Sequence, residues 1–141
     1  MGALILTVWV SPVSASTPVA LPSAQITLLD GTWEGRLSDT GGSSDSGHWQ
    51  PIRVPGNLPF QGVKYDGVLW LRVAFTVADT SQDYAVRIPM AANAYEIFVN
   101  GVEVGRRGRI GPNGELLEKD LRSHVYRLPK EALRADGPNV L

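Results

Sequence analysis

The stretch Leu69-Trp70-Leu71-Arg72-Val73-Ala74-Phe75-Thr76-Val77 decides the fold, because its large apolar residues fall at every second position. Side chains of an extended chain alternate between two faces, so period two sustained over nine residues specifies a strand with one face in a core. Downstream, Tyr84, Val86, Ile88 and Met90 repeat the alternation, with Pro89 close to the strand's end, where a missing N–H costs no ladder bond. The next stretch, Tyr95-Glu96-Ile97-Phe98-Val99-Asn100-Gly101-Val102-Glu103-Val104, consists of two apolar runs joined by Asn-Gly. That dipeptide tolerates the positive φ angles of a type I′ turn and so predicts a tight hairpin. A two-residue loop pairs Val99 with Val102 and Ile97 with Val104 on the inner face, leaving Glu96, Phe98 and Glu103 outside. The expected core is Leu69, Leu71, Val73, Phe75, Val86, Ile88, Ile97, Val99, Val102 and Val104.

Shorter strands are expected at 32–37, with Trp33 and Leu37 inward, at 52–54 and at 124–128. Pro129-Lys130-Glu131-Ala132-Leu133 predicts one helical turn opened by proline. Turn-rich stretches at 38–47, 55–67 and 105–114 separate these pieces, and no long helical period or internal repeat interrupts them. Short alternating strands between turns imply an all-β, antiparallel sandwich or barrel.

A chain of 141 residues has room for one domain, and 43% hydrophobic against 19% charged residues is enough apolar material to fold. Thirteen basic and fourteen acidic residues leave a net charge of −1, which gives nucleic acid or an anionic membrane surface nothing to hold. The absence of cysteine excludes disulfides, thiolate metal sites and cysteine nucleophiles. At the N-terminus, Ala3-Leu4-Ile5-Leu6-Thr7-Val8-Trp9-Val10 followed by Val13-Ser14-Ala15 reads as a signal peptide over residues 1–15, although no positive charge follows Met1. A β-strand or buried apolar arm is the alternative reading of the same run. Residues 16–28 then form an extended leader, residues 29–141 the domain, and the protein is expected to be exported to the periplasm or cell exterior.

Catalysis fails on inventory. His48 and His124 lack partners at metal-ligand spacing, so no metal site is expected. Ser43, Ser44 and Ser46 lie in a Gly/Ser loop without a nucleophile elbow. The carboxylates Asp66, Glu96, Glu103, Glu115, Glu118 and Asp120 could supply a hydrolytic pair, but Glu96 and Glu103 fit a solvated strand face and Glu118-Lys119-Asp120 a surface cluster. The glycines of Gly105-Arg106-Arg107-Gly108-Arg109-Ile110-Gly111 precede no helix and no P-loop lysine, so they describe a basic turn leaving the hairpin. No catalytic residue and no cofactor is expected.

The order of landmarks carries a resemblance. Leu29-Asp30-Gly31-Thr32-Trp33, Trp49-Gln50-Pro51-Ile52-Arg53-Val54-Pro55-Gly56, Tyr65-Asp66-Gly67-Val68-Leu69-Trp70 and Ala94-Tyr95-Glu96-Ile97-Phe98-Val99-Asn100-Gly101 together resemble the galactose-binding-like domain at the N-terminus of β-galactosidases and β-glucuronidases. The resemblance implies a jelly-roll β-sandwich. Asp136-Gly137-Pro138-Asn139-Val140-Leu141 is similar to that family's approach to a closing strand, which implies a fragment cut before its last strand, with further domains of the same polypeptide beyond it. The same sandwich occurs in the exported N-terminal domains of bacterial membrane signalling proteins, which precede transmembrane helices and a kinase, cyclase or phosphatase. The Gly/Arg-rich turn at 105–111 and Tyr126-Arg127-Leu128-Pro129 look more like that group, and the glycosidases' His-x-Gly-Gly turn is missing.

What the resemblance implies is a non-catalytic sensing or interaction domain, with a carbohydrate or small molecule as ligand and membrane contact only through segments downstream. The alternative is the sugar-binding accessory domain of a secreted glycoside hydrolase, to which the loop at 55–67 would contribute. A ligand would meet the loops at one end of the sandwich, at 56–67, 91–93 and 106–113. The candidate binding residues there are Asn57, Tyr65, Asp66, Asn93 and Arg107. Trp33, Trp49 and Trp70 are expected to seal the sandwich, Arg72 to pair with a carboxylate, and Asn100 and Gly101 to serve the turn alone.

Overall fold

The computed structural model describes residues 3–5, 19–21, 26–38, 48–63, 67–89, 91 and 93–141. Its strands, numbered in chain order, are β1 (Ala3–Ile5), β2 (Val19–Leu21), β3 (Gly31–Ser38), β4 (Gln50–Val54), β5 (Val68–Arg72), β6 (Ala74–Val77), β7 (Tyr84–Ile88), β8 (Tyr95–Val99), β9 (Val102–Arg107), β10 (Arg109–Ile110), β11 (Leu116–Glu118), β12 (His124–Leu128) and β13 (Asn139–Val140). Helix is confined, among the described residues, to single 3-10 turns at Pro59–Gln61 and Lys130–Ala132. The chain is all-β.

The alternating stretch from Leu69 forms the extended run its pattern dictates, and it changes partners at Val73. Its first half, β5, pairs antiparallel with β3, which pairs antiparallel with β4. Its second half, β6, pairs antiparallel with β13 and parallel with β2. Val73 belongs to the second ladder, exchanging backbone hydrogen bonds of 2.8 and 2.9 Å with Leu141. Leu69, Leu71, Val73, Phe75 and Val77 are all buried in one core with Trp33, Ile52, Ile97 and Val99. The opposite face of β5 is covered too: Val68 and Trp70 form a second cluster with Trp49, Phe98 and Ile110.

The N-terminal run supplies β1, which lies parallel to β5 with Leu4 opposite Leu69. The cleavage pattern at Val13-Ser14-Ala15 lies outside the described residues.

Two expected core positions are displaced, and Val104, though packed against the core, has a different partner from the one expected. Leu37 is 41% exposed, since β4 ends with Gln50 opposite Gly35 and no β4 side chain reaches across to it. Val102 is 45% exposed because β9 begins beyond the core that covers Val99. Val104 does not pair with Ile97: the β8–β9 ladder runs Val99↔Val102 and Phe98↔Glu103, then shifts so that Ile97 faces Gly105. The cause is steric, for a Cβ at position 105 would stand 2.0 Å from the Tyr126 ring. A bulge therefore brings the one residue without a side chain under that ring. Val86 and Ile88 are half-buried against the core, on β7, which pairs with β12 over its whole length.

The hairpin turn is as its dipeptide requires, with φ of 49° at Asn100 and 85° at Gly101. Asn100 does more than turn the chain. Its Nδ2 donates to Ala132 O at 2.7 Å and to Asn139 Oδ1 at 2.8 Å, and its Oδ1 accepts from Val140 N at 3.0 Å. The hairpin tip is thereby tied to the last strand.

Candidate functional site

The bulge has a second effect, on β9 itself. Without it Arg106 would stand opposite Tyr95; with it Arg107 does, so that the Arg107 side chain shares a face with Tyr95 and meets β12. There Arg107 Nη2 donates to His124 Nδ1, and Nη1 lies 3.5 Å from Asp120 Oδ2. A guanidinium can only donate, so His124 Nδ1 is the acceptor and its N–H is on Nε2. The imidazole packs on Tyr126 with ring centroids 4.7 Å apart, and Tyr126 meets Tyr95 edge to face at 6.3 Å.

Tyr126 Oη lies 3.2 Å from both Tyr95 Oη and Arg106 O. One hydroxyl has one proton, so Tyr126 donates to the carbonyl while Tyr95 donates to Tyr126. Burial, reinforced by this bond to Tyr126, pushes the Tyr95 hydroxyl well above the ordinary tyrosine range, and it stays protonated.

Asp120 closes the arrangement. Its backbone N–H donates to Asn93 O at 2.8 Å, and Asn93 takes a left-handed φ of 72°. Its carboxylate accepts from Arg122 Nη2 at 2.6 Å, from Arg122 Nε at 2.9 Å and from Arg122 N at 3.0 Å. The side-chain and backbone bonds from Arg122 hold its pKa far below the usual carboxylate range, with a smaller contribution from the charge of Arg107.

Of the five residues singled out in the sequence, Asn93 and Arg107 therefore come together, joined through Asp120. Asn57 is used within its own loop, where Oδ1 accepts from Phe60 N at 3.3 Å. Tyr65 and Asp66 lie outside the described residues. Asp120, His124, Tyr126 and Tyr95 belong to the same cluster, although nothing in the sequence marks them as binding residues; the alternation of β12 places His124 and Tyr126 on one face.

A second polar cluster lies on the outer face of β3 and β5. Arg72 donates from Nε to Glu34 Oε2 at 2.8 Å, the carboxylate partnership expected of it. Its guanidinium carbon stands 4.0 Å from the centre of the Trp49 ring, and that of Arg36 stands 5.0 Å from it. Both arginines are 5% exposed, so the ring and Glu34 supply the electron-rich surface that buried guanidiniums need.

Among the described residues, no group of three or more His, Asp or Glu side chains is placed to hold a metal ion, and no helix is long and apolar enough to cross a membrane. No known protein family and no curated protein matches the chain.

Proposed function

We propose that this chain is a jelly-roll sandwich of galactose-binding-like type that acts as the exported sensing or interaction domain of a bacterial membrane signalling protein, and that it does no chemistry of its own. The observation that carries the reading is the convergence of the Asn93 main-chain carbonyl and the Arg107 guanidinium, both at the open end of the β8–β9 hairpin, on Asp120 beside the His124–Tyr126 rings. Guanidinium N–H donors, carboxylate acceptors and aromatic rings side by side are what a hydroxyl-rich ligand such as a carbohydrate requires. A ligand bound at this seam would bias the equilibrium of segments downstream by the difference in its affinity for their two arrangements. The accessory-domain reading relies on the loop at 55–67, where Asn57 is already committed to its own turn.

The test is calorimetric titration of the purified protein against a panel of neutral and acidic sugars, with Arg107→Ala as the matched control. Binding by the wild type that weakens on the order of tenfold or more in Arg107→Ala supports the reading, since a charge-assisted hydrogen bond is worth roughly 1.5–3 kcal/mol. Binding that Arg107→Ala leaves unchanged would move the site elsewhere.

A further inference from the structure

Of the two Asn-Gly pairs in the chain, Asn113-Gly114 presents an exposed asparagine, whereas the side chain of Asn100 in Asn100-Gly101 is fastened at both its polar atoms. Asn100 precedes Gly101, and an asparagine followed by glycine is prone to lose its amide, because the unhindered glycine nitrogen can reach the side-chain carbon. We propose that Asn100 is a deamidation site which the native fold holds in check, and that its conversion unfastens the C-terminal strand.

The step balances with water as the only co-reactant. The Gly101 nitrogen gives up its proton to solvent and attacks Asn100 Cγ; the new N–Cγ bond forms as Cγ–Nδ2 breaks, and Nδ2 leaves as ammonia. Water then opens the five-membered imide at either carbonyl, giving aspartate or isoaspartate.

The fold opposes the first half of this sequence. Cγ must swing toward the Gly101 nitrogen, but its amide is held by Ala132 O, Asn139 Oδ1 and Val140 N, and Asn100 N itself donates to Val140 O at 3.0 Å. Asn139 cannot readily yield: it is fully buried, and its own amide is fixed by Arg134 N at 2.7 Å and Arg134 O at 3.1 Å. Attack must wait for a local opening that breaks this network.

The fold also makes the product costly. Aspartate puts an acceptor oxygen where Nδ2 stood, facing the carbonyl oxygens of Ala132 and Asn139 with no proton between them. Two donated bonds become two acceptor–acceptor contacts in a partly buried place. Isoaspartate lengthens the main chain inside a two-residue turn as well. The segment that loses its fastening is β13, with the Leu141–Val73 pair that extends its ladder.

The experiment follows the full chain at mildly alkaline pH, in native buffer and unfolded in urea, mapping ammonia loss and isoaspartate at Asn100 by mass spectrometry. The rate in native buffer should be slower by on the order of tenfold or more, reflecting the free energy of local opening; equal rates overturn the protection. Hydrogen exchange on aged native protein fractionated by charge, with conversion assigned by peptide mapping to Asn100 and not to Asn113, reads the consequence. Converted molecules should lose protection at Val73, Val140 and Leu141 while β3 and β5 keep theirs. Protection that survives conversion overturns the fastening. Asn100→Asp should reproduce the loss directly, and if that variant does not fold, the aged wild type still decides.

Discussion

Gly105→Ala is the sharpest probe of the bulge. The added Cβ would stand 2.0 Å from Tyr126 Cδ1 and 2.1 Å from Cε1, and ring carbons cannot yield as a flexible chain end can. Tyr126 is 8% exposed, with its hydroxyl bonded at the Arg106 carbonyl. Forcing one methyl into such a contact costs about 1–3 kcal/mol by overpacking. Displacing the ring far enough to lose its hydroxyl bond adds about 1 kcal/mol. Position 105 is not in the left-handed region, so alanine brings no backbone strain and returns up to about 1 kcal/mol through a less flexible unfolded chain. The net expectation is a loss of about 1–3 kcal/mol, a large share of the total stability of a domain this size. Urea denaturation should show a lower midpoint with an unchanged slope. A double-mutant cycle with Tyr126→Ala sharpens the test, because removing the ring makes room for the methyl and Gly105→Ala should then cost close to nothing. An unchanged midpoint in the single variant, or strict additivity in the cycle, would refute the steric account of the bulge.

Among the described residues β4 pairs with β3 alone, and its other edge yields another prediction. Gln61 accepts from Arg53 N at 2.7 Å and donates to Arg53 O at 3.0 Å, so its amide stands in for a neighbouring strand, and Gly56 leaves the room it needs. Gln61→Ala should expose that edge and raise self-association, read by light scattering against protein concentration; an unchanged monomer at high concentration would argue against an edge-guarding role. For Asp120, whose folded pKa is lowered, the stabilisation is present above the ordinary carboxylate range and is lost as pH falls through the folded value. The stability difference between wild type and Asp120→Asn should therefore be flat from neutral pH down to about pH 5 and shrink below it. A difference that grew on acidification would reverse the sign.

What could be read from the sequence was whatever a short stretch of chain decides for itself. Asn100-Gly101 makes a turn because two adjacent residues tolerate positive φ, and the alternation from Leu69 makes a strand because neighbouring side chains must point apart. Leu37 and Val102 were misplaced because alternation identifies a face but not how far the covering layer extends along it. Trp70 was legible as a packing residue, yet its neighbours Trp49, Phe98 and Ile110 arrive from three distant segments that no local pattern joins.

The candidate site was half legible for the same reason. Arg107 and Asn93 stand out as polar residues in turns, but their meeting depends on a register shift that Tyr126 imposes from another strand. If Val104 paired with Ile97, Arg106 would occupy the place opposite Tyr95, and Arg107 would fall on the face where Glu96 and Glu103 now sit. Arg106 instead lies on that outer face, bonded to Glu103 at 2.7 and 2.8 Å, so the two adjacent arginines are sorted to different carboxylates by one unpaired residue. A single glycine beneath a tyrosine ring thus sets the register, the register selects which arginine reaches His124 and Asp120, and that selection gives the hairpin a polar site on the side where β12 approaches.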